Sequence, residues 1–152
     1  MIMITKSLGI SNVLVDACIW SFLLRRRDAS VESLEKQTLL KLIQQTRVIL
    51  LGVVRQEVLS GIRETQKFER IRQKLRSFPD FPLTTEDYEK AAEFYNICRS
   101  KGVQGSPTDF LLCAVSHRYD FPIFTTDKDF EHFQKYIDFQ LYSVGGKQCS
   151  VK

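Results

Sequence analysis

Histidine is almost missing from this chain, with His117 and His132 the only two in 152 residues. Both fall on helical stretches away from any acidic cluster, so a mechanism built on an imidazole base or a histidine-rich zinc site has little to draw on. Cysteine is sparse as well. Cys18, Cys98, Cys113 and Cys149 are scattered, with no C-x-x-C pair and no histidine at ligand spacing, which argues against zinc and against a disulfide framework. Cys18 and Cys113 read as small buried hydrophobes. No G-x-G-x-x-G follows the first apolar run, so a Rossmann-type nucleotide site is excluded. No apolar run approaches membrane-spanning length, and MIMITKSLGISN lacks the core of a signal peptide. The expected compartment is the reduced cytoplasm, with no membrane partner; Met3 offers an alternative start to Met1.

What remains is ordinary globular material, 43% hydrophobic and 26% charged, enough for one domain with a real core. A net charge of +4 permits an anionic partner without requiring one. Val13-Leu14-Val15 is a short continuous apolar run, as in a strand buried on both faces. Ile19 to Leu24 predicts a helix ending near Arg25-Arg26-Arg27, and Val31 to Gln45 a second. Arg47 to Leu51 reads as a strand ended by Gly52. Helices follow from Val53 to about Gly61 and through the basic stretch Arg63 to Arg76. The sequence FPDFP breaks that helix, and Leu83 marks a short extended piece. Thr84 or Thr85 caps a helix from Glu86 to Ser100.

Ser106-Pro107-Thr108-Asp109 is a strong helix start, with serine at the cap, proline first and an acid third. That helix runs to Tyr119. Pro122 to Thr125 then forms a strand, Lys128 to Lys135 a short helix, and Phe139 to Tyr142 a last strand. Strands alternating with helices predict a parallel or mostly parallel sheet. The domain spans 12–142, after an N-terminal extension (1–11) and before a polar tail (143–152).

The order of elements places Asp16, Glu57, Asp109 and Asp127 at strand-to-helix junctions on one rim, outside the carboxyl ends of the strands. Each has a structural explanation alone. Asp109 is the third residue of a capping arrangement, Asp127 a cap for the following helix, Glu57 a solvated carboxylate and Asp16 a turn residue. Together they are harder to dismiss, because carboxylates packed without a counter-charge raise one another's pKa and cost stability. A hard divalent cation such as Mg²⁺ or Mn²⁺ relieves that cost and is suited to phosphodiester hydrolysis.

The segments VLVDACIW, VVRQEVLSG and PTDFLLCAVSHRYDFPIFTTDKDF resemble, in order and spacing, the successive motifs of PIN domains, particularly the VapC-like toxin ribonucleases of toxin–antitoxin modules. The resemblance implies a three-layer α/β/α sandwich around a central, mostly parallel five-stranded sheet. It also implies an Mg²⁺- or Mn²⁺-dependent endoribonuclease that hydrolyses RNA with a metal-activated water. Asp16, Glu57, Asp109 and Asp127 match its catalytic and metal-holding acids, while Asp129, Thr125, Thr126 and Ser106 are candidates to support them. The partners implied are an RNA substrate, a cognate antitoxin and a second copy in a homodimer. The chain departs from the pattern at Ala17 and Cys18, where the family often has serine or threonine; a hydroxyl orienting Asp16 must come from Thr125, Thr126 or Ser106 instead.

Arg25, Arg26, Arg27 and Arg55 are candidate RNA contacts. The basic helix from Arg63 to Arg76 reads as a solvated face, with an RNA track or a surface for an acidic antitoxin segment as alternatives. Trp20, Phe22, Phe94 and Tyr95 follow helical spacing and read as core or interface rather than base-stacking platforms. A catalytically silent PIN-fold module that binds RNA or protein is the alternative to the nuclease.

Overall fold

The computed structural model describes residues 10–24 and 33–145. Among these, three parallel strands form one sheet: β1 (Val13–Val15), β2 (Val48–Ile49) and β3 (Ile123–Phe124), in the order β2-β1-β3. Val13 pairs with Val48 and Leu14 with Ile49 on one side of β1, while Leu14 pairs with Ile123 and Val15 with Phe124 on the other. All three residues of β1 are fully buried, as a continuous apolar run demands of a central parallel strand.

The expected five-stranded sheet is not what the described residues form. The extended piece near Leu83 and the strand Phe139 to Tyr142 reduce to single parallel bridges, Leu50 to Asp80 and Ile123 to Leu141. On the first edge the reason is local: Pro79 and Pro82 flank the bridge, and neither has an N–H to lengthen a ladder.

Seven helices complete the described residues: α1 (Ala17–Leu24), α2 (Leu34–Gln44), α3 (Gly52–Leu59), α4 (Thr65–Leu75), α5 (Thr85–Ser100), α6 (Pro107–Tyr119) and α7 (Asp129–Phe133). Gly52, expected to end the strand before it, is instead the first residue of α3. The helix α6 is buried from Phe110 through Ser116, so it carries no polar stripe at its centre. It closes on Asp120 in the left-handed conformation (φ 58°), which an aspartate tolerates and which turns the chain into Phe121 and β3. Trp20 is buried edge-on against Phe78, at 5.0 Å between ring centroids. Trp20 and Phe94 are core residues, Phe22 is partly buried and Tyr95 is exposed.

Two polar clamps hold the helical layer. Arg55 on α3 donates to Asp80 (2.8 Å) and to the carbonyls of Leu75 (3.0 Å) and Phe78, tying α3 to the turn that follows α4. Asp87, with no exposed surface, accepts from Thr84 N (2.8 Å) at the start of α5 and faces Arg118 Nε (2.8 Å) at the end of α6. Tyr119 donates to the same carboxylate at 3.2 Å.

Removing one member of a buried ion pair leaves its partner uncompensated. Arg118→Ala, which leaves the fully buried Asp87 without its counter-charge, should therefore cost about 3 kcal/mol of stability, read as the midpoint of a urea titration. A loss below about 1 kcal/mol would show the pair to be as weak as an exposed one.

Candidate metal centre

The parallel sheet sends the carboxyl ends of its strands to one edge, and β1 lies where the chain's path reverses, since β2 and β3 flank it on opposite sides. That reversal opens a crevice outside the strand ends. Asp16 follows β1 directly. It is 7% exposed, and its carboxylate is held on both oxygens: Oδ1 accepts from Ala17 N at 2.7 Å, and Oδ2 from the Thr125 hydroxyl at 2.8 Å. The missing orienting hydroxyl is thus supplied by Thr125, across the sheet from the end of β3.

Thr125 does more than hold Asp16. Its oxygen also accepts from Asp127 N at 3.0 Å, so one hydroxyl joins the acid after β1 to the backbone of the acid after β3. Asp127 Oδ1 in turn accepts from Asp129 N at 2.9 Å, which fixes the turn into α7. Asp129 therefore contributes its backbone here. Thr126 touches Cys18 rather than Asp16, through both its amide (3.5 Å) and its hydroxyl (3.4 Å). Cys18 is accordingly only half-buried, packed against the core but with polar groups around its sulfur, and not the fully buried hydrophobe expected of it. Cys113 does fit that expectation; it is fully buried.

At the start of α6, Ser106 and Asp109 form the expected reciprocal cap. Ser106 N donates to Asp109 Oδ2 at 2.9 Å, and Asp109 N donates to Ser106 Oγ at 3.1 Å. The cap takes up Oδ2 and fixes the side chain. Gly105 just ahead is obligatory, because a Cβ there would lie 2.6 Å from the Phe133 ring and 2.9 Å from that of Phe110. Glu57 lies on α3, exposed on the open side of the crevice.

The electrostatics bind these positions together. Burial pushes the Asp16 carboxyl up, against the pull of Thr125, Ala17 and Cys18, and Asp127 adds to the rise. Burial raises Asp109, and Asp16 and Asp127 raise it further. Partial burial raises Glu57, followed by Asp16, Asp109 and Asp127. Among the described residues, the charged groups that act on the three are acids. An all-oxygen donor set of mutually repelling acids has the chemistry of a site for a hard divalent ion. Its geometry is open, however: among the described residues no three acidic, histidine or cysteine side chains stand close enough together to hold an ion as they are. Carboxylates that repel one another favour such separation, and ion binding would have to draw them in.

The remaining expectations fall elsewhere. Arg25, Arg26 and Arg27 lie outside the described residues. Arg55 is corrected: its guanidinium is spent on Asp80, Leu75 and Phe78 and serves the fold rather than RNA. His117 contacts Asp138 at the far end of α6, through Nδ1 and the Asp138 carbonyl at 2.9 Å. Sequence reading missed Cys18; its signal was its position, two residues after the first acid.

A family model described as the PIN domain matches residues 13–136. No curated protein matches the sequence. Among solved structures, FitAcB from Neisseria gonorrhoeae superposes with a TM-score of 0.67 at 15% identity, covering 89% of this chain and 99% of that one. VapBC2 from Rickettsia felis, bound to a DNA fragment from its promoter, gives 0.66 at 14% identity, with 86% and 96% covered. A toxin–antitoxin complex from Klebsiella pneumoniae gives 0.59 at 16% identity, with 86% and 100% covered. At these identities the likeness is one of fold.

The raised carboxyls carry a sign. Each binds its proton more tightly folded than unfolded, so the stabilisation is complete below the ordinary carboxylate range, 3.8 for aspartate and 4.5 for glutamate, and is lost as pH rises through the folded values. In chelator, the wild-type protein should lose thermal stability relative to Asp16→Asn as pH is raised from about 4 to about 7. Saturating Mn²⁺ should shrink that loss. Parallel curves for the two proteins would mean that the Asp16 carboxyl is not raised by folding.

Proposed function

From the premise that this chain belongs to the PIN domain family, we propose that it is an Mg²⁺- or Mn²⁺-dependent endoribonuclease acting as the toxin of a toxin–antitoxin pair. The observation that carries the reading is that Asp16, Glu57 and Asp109 are raised in pKa by burial first and then by neighbouring acids, Asp127 among them in every case. When bound, a divalent ion supplies ionisation of a water and neutralisation of charge on a phosphoryl oxygen. Asp16, Asp109, Glu57 and Asp127 would hold it. The chain's own part is positional. Thr125 and Ala17 N fix Asp16, the Ser106 cap fixes Asp109 and leaves Oδ1 outside the cap, and the Asp129 amide fixes Asp127. Glu57, exposed and without a fixing bond of that kind among these, is the acid with most freedom to close on an ion or a substrate.

Partners fit the same reading. Trp20, Leu23, Leu24, Ile43, Leu75 and Phe78 line an apolar groove of about 210 Å³ with Lys74 on its border. The solved relatives are toxin–antitoxin assemblies, and an acidic amphipathic antitoxin segment would suit a groove with an apolar floor and the basic α4 beside it. RNA would meet Arg25, Arg26 and Arg27, and a homodimer in the cytoplasm is the expected form. No helix among the described residues is long and apolar enough to cross a membrane. The open geometry of the acids favours one other reading, a PIN-fold module that binds RNA or protein without cutting.

Cleavage of an RNA panel with Mn²⁺ separates the two. The nuclease cuts, and Asp16→Asn or Asp109→Asn lowers the rate by more than about 100-fold while circular dichroism stays native. Full activity in both variants rejects the assignment, and Mn²⁺ binding without cleavage by the wild type selects the silent module. Reversing the charge at Arg25, Arg26 and Arg27 should weaken RNA binding and flatten its salt dependence; an unchanged salt slope would remove these arginines from the interface.

A further inference from the structure

Cys18 stands in the first turn of α1, two residues after Asp16, and its sulfur has four polar neighbours. Thr126 gives it two hydrogen bonds, from the amide at 3.5 Å and the hydroxyl at 3.4 Å. Thr125 Oγ1 lies at 3.4 Å and Asp16 Oδ2 at 3.7 Å. Donors and acceptors can be assigned by elimination. The single Thr125 hydroxyl proton goes to Asp16 at 2.8 Å, so in the contact with Cys18 the thiol must donate. The sulfur therefore accepts twice from Thr126 and gives its one proton across to Thr125, or at longer range to Asp16.

The three contacts with Thr125 and Thr126 join the β1–α1 junction to the segment after β3. Among the side-chain bonds of the described residues, that segment is otherwise attached to Asp16 through the Thr125 hydroxyl alone. We propose that Cys18 is a positioning residue of the acid cluster, its sulfur fastening the Thr125–Asp127 segment to the helix start that carries Asp16 and so fixing the spacing of the two acids. The fastening itself is independent of metal. Its consequence for ion binding and RNA cleavage rests on the function proposed above.

The test compares wild type, Cys18→Ala and Cys18→Ser. Amide hydrogen exchange is followed by NMR on metal-free protein, and Mn²⁺ affinity by calorimetry. Alanine removes every bond of the sulfur, so the Thr126 and Asp127 amides should exchange about tenfold faster by local opening, while Leu112 and Ile123 stay protected. Mn²⁺ affinity should fall about 10-fold, with kcat on RNA reduced and KM kept. Serine retains one donor and two acceptors and should restore part of both. Unchanged exchange at Thr126 and Asp127 overturns the inference, as does faster exchange spread equally to Leu112 and Ile123. Local acceleration with wild-type Mn²⁺ affinity leaves a loop tether and overturns the positioning role. Local acceleration in a protein whose wild type binds no Mn²⁺ keeps the fastening and defeats the metal reading instead.

Discussion

A carboxylate buried at the end of the central strand is the constraint on which the rest of this structure turns. Asp16 is 7% exposed at the end of a strand with no exposed surface. Taking an ionised carboxylate out of water costs several kcal/mol even after relaxation. Hydrogen bonds to a charged group return about 1.5–3 kcal/mol each, and Asp16 has short ones from Ala17 N and from Thr125. They oppose the cost without cancelling it, because burial still wins and its pKa stays raised. Nothing in the packing of β1 asks for an acid there.

The secondary structure softens that cost in a way that also aims the acids. Asp16 precedes α1 and Asp109 sits in the first turn of α6, so both lie at helix N-termini, where free amides and the helix dipole favour negative charge. Glu57 is on the second turn of α3, past the reach of that help, and it is the exposed one. The gradation from a fixed, buried acid to a free, solvated one follows the positions of the three helices.

Much of this was legible in the sequence. An apolar triplet followed by an acid, and an S-P-T-D start before a long apolar helix, locate β1, Asp16, α6 and Asp109 because caps and buried strands are local chemistry. The edges of the sheet were not legible. Whether Asp80 or Leu141 extends a ladder depends on neighbours far along the chain, and both reduce to single bridges. Arg55 failed for the same reason. Nothing near it in sequence reveals that the Leu75 and Phe78 carbonyls come to meet its guanidinium. Cys18 misled through its type: a cysteine among apolar residues reads as core, and only the return of the chain at Thr126 makes it polar.

The chain contains its own control for the acid cluster. Asp87 and Asp109 occupy the same place, third in a helix whose cap residue donates its backbone amide to the carboxylate, at 2.8 Å from Thr84 and 2.9 Å from Ser106. Local sequence cannot tell them apart. Around Asp87 the fold brings Arg118 to 2.8 Å and a tyrosine hydroxyl to 3.2 Å, and the carboxylate is sealed from solvent. Around Asp109 the charged groups it brings, among the described residues, are two more acids, Asp16 and Asp127. A capping aspartate needs only its cap, and a buried one needs a counter-charge, as Asp87 has. Asp109 has been given neighbours that make its charge harder to keep. Among the described residues the difference between the two is the sign of the neighbouring charge, and a divalent cation at the crevice would give Asp109 what Arg118 gives Asp87.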